Sequence, residues 1–147
     1  MSGRKPAMKL RAASLGGLWF ALIAAGGVAR AQAELPVPSD DWRRVDHSMQ
    51  LLGDFNGDGL ADAVRVLRQG GQSKAVIWVT LGGMHGVVRH FPIADLAPDQ
   101  AATTRFSYSA PENGSRAVGI IILQPDGKRQ SVRWRENRFI MAMAPAG

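Results

Sequence analysis

The pattern of hydrophobic and polar positions over residues 39–53 has the period of an α-helix. Four apolar residues recur at intervals of three, four and three: Trp42, Val45, Met49 and Leu52. Such spacing places side chains on one face of a helix. Ser39 is a typical helix N-cap residue, and Gly53 is a typical residue at a helix end. The pattern therefore predicts one short helix at the start of the domain.

Beyond residue 60 the pattern changes to that of β-strands. Short apolar and β-branched runs alternate with turns that contain Gly or Pro. Two continuous apolar runs, Ala75–Leu81 and residues 117–123, are typical of buried strands. Weaker strand patterns cover residues 63–67, 87–91, 106–108, 130–135 and 138–143. We expect a mainly β (α+β) fold, in which the short helix precedes an antiparallel sheet of about six strands.

The first thirty-three residues have the pattern of a secretory signal peptide. Basic residues (Arg4, Lys5, Lys9 and Arg11) precede the uncharged, mostly apolar stretch 12–29, and small residues fit cleavage after Ala31 or Ala33. A membrane anchor is the alternative, but it needs about 20 apolar residues, more than this stretch provides. We therefore expect a signal peptide (1–33), a Pro-containing linker (34–38) and a single β-rich domain (39–147). The protein would be periplasmic or secreted, without stable membrane insertion after cleavage.

Charge is distributed unevenly along the chain. The 18 Lys and Arg residues exceed the 12 Asp and Glu residues, which gives a formal net charge of +6. Residues 1–33 carry five of the bases and no acid, so residues 34–147 hold 13 bases against 12 acids. A nearly neutral domain lacks the basic surface of a nucleic-acid-binding protein. The chain has no cysteine, so disulfides cannot stabilise it.

Residues 54–62 form the segment with the clearest candidate chemistry. Oxygen-bearing side chains occupy its positions 1, 3, 5 and 9, namely Asp54, Asn56, Asp58 and Asp62. Calcium prefers six to eight oxygen ligands, and the carbonyl of Leu60 can add one. Three carboxylates this close in sequence repel one another unless a cation is present. A metal-free surface turn is the alternative, because Asp, Asn and Gly are also the common residues of turns.

The sequence around this loop resembles the FG-GAP/VCBS repeat of integrin-α-type β-propellers. The resemblance covers residues 53–81: Gly53-Asp54-Phe55-Asn56-Gly57-Asp58-Gly59, then Leu60-Ala61-Asp62, then two strands. An EF-hand is disfavoured, because its twelfth position requires Glu and here holds Arg65. The resemblance implies a calcium ion held by Asp54, Asn56, Asp58, the Leu60 carbonyl and Asp62. The family repeats its unit into a propeller, whereas this chain has one copy. The metal is expected to have a structural role, in which it locks the predicted N-terminal helix onto the sheet.

No residue pattern indicates catalysis. The serines lack a G-x-S-x-G context, and the histidines lack the spacing of an HExxH metal site. We therefore expect a non-enzymatic protein with no catalytic residues and with calcium as its only cofactor.

The C-terminal hairpin suggests an alternative function. It concentrates five of the mature bases, namely Lys128, Arg129, Arg133, Arg135 and Arg138. Such a surface would suit a small envelope interaction or inhibitor module that docks an anionic protein or polyanion. The charged face of a solvated antiparallel sheet has the same composition.

Overall fold

Nine β-strands account for most of the regular structure in residues 34–144, the part of the chain that this computed structural model describes. They are β1 (Trp42–Arg44), β2 (Gln50–Gly53), β3 (Asp62–Gln69), β4 (Ala75–Leu81), β5 (Arg89–Leu96), β6 (Arg105–Ser109), β7 (Gly119–Leu123), β8 (Arg129–Arg135) and β9 (Arg138–Met143). A 3-10 turn (Met84–Gly86) and a single-turn helix α1 (Pro98–Ala101) interrupt them. The prediction of a mainly β, antiparallel fold is confirmed.

The strands form two antiparallel sheets, and not the single sheet of about six strands that the sequence predicted. In the first sheet the order is β1-β3-β4-β5, and β2 also pairs with β3. In the second sheet the order is β6-β7-β8-β9. The chain leaves the first sheet after β5 and passes through α1. The next strand, β6, pairs with β7 in the second sheet.

The predicted helix over residues 39–53 is wrong. Strands β1 and β2 occupy this segment and pair end to end along the same edge of β3. Between them His47 has a positive φ of 58°, a conformation that no α-helix contains. The helical spacing of apolar residues was misleading because pairing with β3 satisfies backbone groups along that strand, and this tertiary contact outweighs local propensity.

A hydrophobic core joins the two sheets. From the first sheet, alternate residues of β3 and β4 contribute to this core, including Val64, Val66, Ile77 and Val79. The second sheet supplies Phe106, Ile120, Ile122 and Val132, all of them buried. Three aromatic rings extend the core at one end, where Phe91, Trp134 and Phe139 pack edge to face with centroids 4.9–5.5 Å apart.

The predicted signal peptide, residues 1–33, lies outside the described residues. Within residues 34–144 there is no helix of the length and apolar character that a bilayer crossing requires. The first described residues, Glu34 to Pro38, have no regular structure.

Candidate metal site

The Asp-rich loop connects β2 to β3 and reverses the chain at two glycines. Gly57 and Gly59 have φ values of 81° and 85°, a left-handed conformation that favours glycine over residues with a Cβ atom. The strands that flank the loop are paired through Gly53 and Asp62. The loop is therefore the turn of a β-hairpin, with its first and ninth residues at the base of the turn.

The side chains at loop positions 1, 3 and 5 fold back onto the loop's own backbone. Oδ1 of Asp54 accepts a hydrogen bond from the amide of Gly57 at 2.7 Å, and its Oδ2 accepts one from Gly59 at 2.9 Å. Oδ1 of Asn56 accepts one from the Asp58 amide at 3.1 Å. These bonds hold the two side chains over the turn.

The side chain of Asp58 also accepts hydrogen bonds from within the loop. Its Oδ1 accepts a hydrogen bond from the Leu60 amide at 2.8 Å, and its Oδ2 accepts one from Nδ2 of Asn56, also at 2.8 Å. The side chain is exposed. Three successive side chains at odd positions thus each bond to a backbone amide at least two residues later.

Asp62 lies in a different environment, because it is fully buried. Its Oδ2 accepts a hydrogen bond from the Phe55 amide at 2.7 Å, and its Oδ1 accepts one from the Gly82 amide at 2.9 Å. Burial raises the pKa of the Asp62 carboxyl from 3.8 to about 6, and the negative charge of Asp58 acts in the same direction. The two backbone hydrogen bonds oppose this shift, since they stabilise the ionised form.

The loop also contacts the second sheet. The carbonyl oxygen of Asp54 accepts a hydrogen bond from the amide of Val118, at 2.9 Å, just before β7. A Cβ atom added to Gly57 would lie 3.0 Å from the backbone nitrogen of Ala117, so the two segments approach closely. The loop therefore links β2 and β3 to the end of β4 and to the segment that enters β7.

The donor atoms fit calcium in their chemistry, because all of them are oxygens. Each carboxylate oxygen of Asp54, Asp58 and Asp62 accepts one hydrogen bond and keeps a further lone pair for a cation. The carboxylates are not gathered at one point, however. Among residues 34–144 no group of three or more Asp, Glu or His side chains is arranged to hold a metal ion. A bound cation would have to draw them closer together.

Four of the five bases of the C-terminal hairpin have an acidic partner within 4.0 Å. Nη2 of Arg135 lies 2.6 Å from an oxygen of Glu112, and Nε of Arg133 lies 3.4 Å from the other. Lys128 pairs with Asp126 at 2.8 Å, and Arg138 approaches Glu136 at 3.8 Å. The three acids nevertheless leave the five bases with a net charge of +2, and Glu112 is shared by two of them.

Arg65 has a structural role that its sequence position, which only argued against an EF-hand, did not predict. Its side chain is buried, and its guanidinium donates hydrogen bonds to the carbonyl oxygens of Leu35 (2.6 Å) and Pro36 (2.8 Å) and to Oγ1 of Thr80 (3.0 Å). The available signal was an arginine in the middle of an otherwise apolar strand. Such a residue is buried only when its donors have partners.

No protein-family model matches this chain, and no curated protein or solved structure matches it either. The resemblance to the FG-GAP/VCBS repeat therefore depends on residues 53–81 and on the chemistry of their side chains.

Proposed function

We propose that this protein is an exported, non-enzymatic β-domain that binds one calcium ion in the loop 54–62 and is stabilised by it. The observation that carries the proposal is the folding back of Asp54, Asn56 and Asp58 onto loop amides. Each carboxylate oxygen of Asp54 and Asp58 keeps a further lone pair for a cation, which would have to draw the side chains together from these positions. Asp62 would close the site, with the Leu60 carbonyl as a further ligand.

A structural role for the ion is supported by the position of the loop. Its residues bond to the end of β4 through Gly82 and to the second sheet through Val118. A cation held by these side chains would also reduce the repulsion between Asp58 and the buried Asp62 carboxylate. Binding energy would then add directly to the free energy of unfolding.

The alternative function, docking of an anionic partner through the C-terminal hairpin, has less support. Glu112 accepts hydrogen bonds from Arg135 and pairs with Arg133, so two of the five bases already have an acidic partner on the same molecule. A partner would have to displace Glu112 before it could pair with either arginine.

The test of the proposal is thermal unfolding of the full chain in EDTA, followed by titration with calcium and, separately, with magnesium. We expect a calcium-specific rise in Tm of several degrees, since a ligand at 100 times its Kd adds about 2.7 kcal/mol to stability. Equal shifts with both ions, or none, would contradict a calcium site and leave the segment as a metal-free turn.

Matched variants assign the effect to the loop. Asp58→Asn should abolish most of the calcium-dependent rise, because it removes a charged ligand. Asp126→Asn is the control, since Asp126 is another turn carboxylate that accepts a backbone hydrogen bond, from the Lys128 amide at 3.0 Å. If the two variants respond to calcium equally, the ion acts somewhere other than this loop.

A further inference from the structure

Three arginines line a groove beside the edge strand β1. Arg43 and Arg44 belong to this strand, and Arg68 lies near the end of the neighbouring strand β3. The groove has a volume of about 300 Å³, and the turn of residues 70–72 forms its rim. Asp46 is the one acidic residue that lines it, so the lining carries a net formal charge of +2.

Arg43 and Arg68 stand directly opposite each other on paired strands. Side chains in this relation share one face of the sheet and lie close together, and two like charges there cost stability. In the described part of the chain no carboxylate oxygen lies within 4.0 Å of a nitrogen of Arg43, Arg44 or Arg68. The arginines of the groove therefore have no ion pair with a described carboxylate, whereas four of the five hairpin bases have one.

Arg68 supplies a second sign of an incomplete site. Its Nε atom is buried, and within residues 34–144 it has no hydrogen-bond partner. A buried donor of a charged group without an acceptor is costly, and such groups are normally satisfied by another residue, a water molecule or an ion. The groove thus combines unpaired charge with open space, and it is lined by an arginine whose buried Nε is unsatisfied.

We propose that this groove binds a phosphate monoester, with Arg43 and Arg68 as its principal ligands. The net charge of +2 matches a dianion, and guanidinium groups pair with phosphate oxygens through two parallel hydrogen bonds. The volume is at the lower end of the range for small-molecule sites, which suits a small organic phosphate. The site is separate from the loop 54–62 and does not require calcium.

The experiment is isothermal titration of the full chain with glycerol 3-phosphate in EDTA, a condition that excludes calcium phosphate. Amide chemical shifts recorded during the same titration should change at residues 43–46 and 68–72. Arg43→Gln should weaken binding about ten-fold or more, because a hydrogen bond to a charged group contributes about 1.5–3 kcal/mol. Arg138→Gln is the matched control, since it removes one exposed arginine from the hairpin and should leave the affinity unchanged.

A second arm of the experiment distinguishes a soluble phosphate monoester from a phosphate monoester on a lipid headgroup. Vesicles that contain phosphatidic acid present the same monoester on a lipid, and phosphatidylcholine vesicles serve as their control. Binding of either monoester that depends on Arg43 supports the site and identifies the source. Absence of binding in both arms, or equal weakening by Arg43→Gln and Arg138→Gln, would overturn the proposal. Thermal unfolding of each variant confirms that it is folded.

Discussion

The carboxylate of Asp62 and the amide of Gly82 are 20 residues apart in the chain and are joined by a hydrogen bond of 2.9 Å. Asp62 begins β3, and Gly82 directly follows β4, which pairs with β3. The other oxygen of the same carboxylate bonds to Phe55, in the loop before β3. One buried side chain therefore holds the Asp-rich loop against the end of a central strand.

Gly82 has no room for a side chain, so Gly82→Ala should destabilise the protein. A Cβ atom there would lie 2.3 Å from the carbonyl oxygen of Ala61, and the backbone would have to move away from Asp62. We expect a loss of about 2 kcal/mol, which is typical of an overpacked site. Chemical denaturation measures it.

Gly70→Ala is the control for this substitution. A Cβ atom at Gly70 would lie 3.6 Å from the nearest atom, an ordinary contact with the carbonyl oxygen of Asp41. Similar losses for the two variants would mean that the close approach of Gly82 to Ala61 has no particular importance for stability.

The sequence predicted the strands better than it predicted their arrangement. Strand β4 was predicted at its observed bounds, and the turn of the last hairpin was placed correctly at Glu136 and Asn137, whose φ values are 49° and 64°. Continuous apolar runs and turn residues are local signals, so one segment suffices to recognise them. The division into two sheets depends on which strands pair, and no single segment contains that information.

The same distinction applies to the candidate sites. The loop 54–62 was visible because its residues are contiguous and their spacing is regular. The pairing of Arg43 with Arg68 was not visible, because it follows from the register between β1 and β3, and the sequence had predicted a helix where β1 lies.

Removal of the buried guanidinium by Arg65→Gln should release the segment 34–38. The carbonyl oxygens of Leu35 and Pro36 would lose their donors, and Thr80 would lose a partner. We expect a loss of about 2–4 kcal/mol, since several bonds to a charged donor disappear together, and lower backbone order parameters at Leu35 and Val37 in NMR relaxation. Arg116→Gln, which alters an exposed arginine, is the control and should change neither quantity. Unchanged order parameters at Leu35 in the first variant would contradict an anchoring role for Arg65.

His90 should make stability depend on pH on the acid side. Burial, and then the positive charge of Arg65, lower the pKa of His90 below its ordinary 6.5, and its Nδ1 lies 3.0 Å from Oγ1 of Thr80. The unfolded chain therefore binds more protons than the folded chain as the pH falls below 6.5, so stability is lost in that range and is fully present above it. The Asp62 carboxyl, whose pKa of about 6 lies above its usual 3.8, contributes the opposite slope, since there the folded chain binds more protons. Between pH 5 and pH 7 the Tm of His90→Gln should therefore fall less, or rise more, on acidification than the Tm of the parent protein. A profile with the same slope in both proteins would show that His90 does not cause the dependence.

The groove and the hairpin can be compared directly through retention on phosphocellulose. Arg43→Gln and Arg135→Gln each remove one exposed positive charge, so the two variants have the same net charge. Glu112, whose pKa the hydrogen bond from Arg135 lowers, stays ionised and pairs with that arginine, whereas no described carboxylate pairs with Arg43. Arg43→Gln should therefore elute at lower salt than Arg135→Gln, because the guanidinium of Arg43 is free to pair with the phosphates of the resin, whereas that of Arg135 is already held by Glu112. The reverse order would favour docking through the hairpin and would count against the groove as the anionic site.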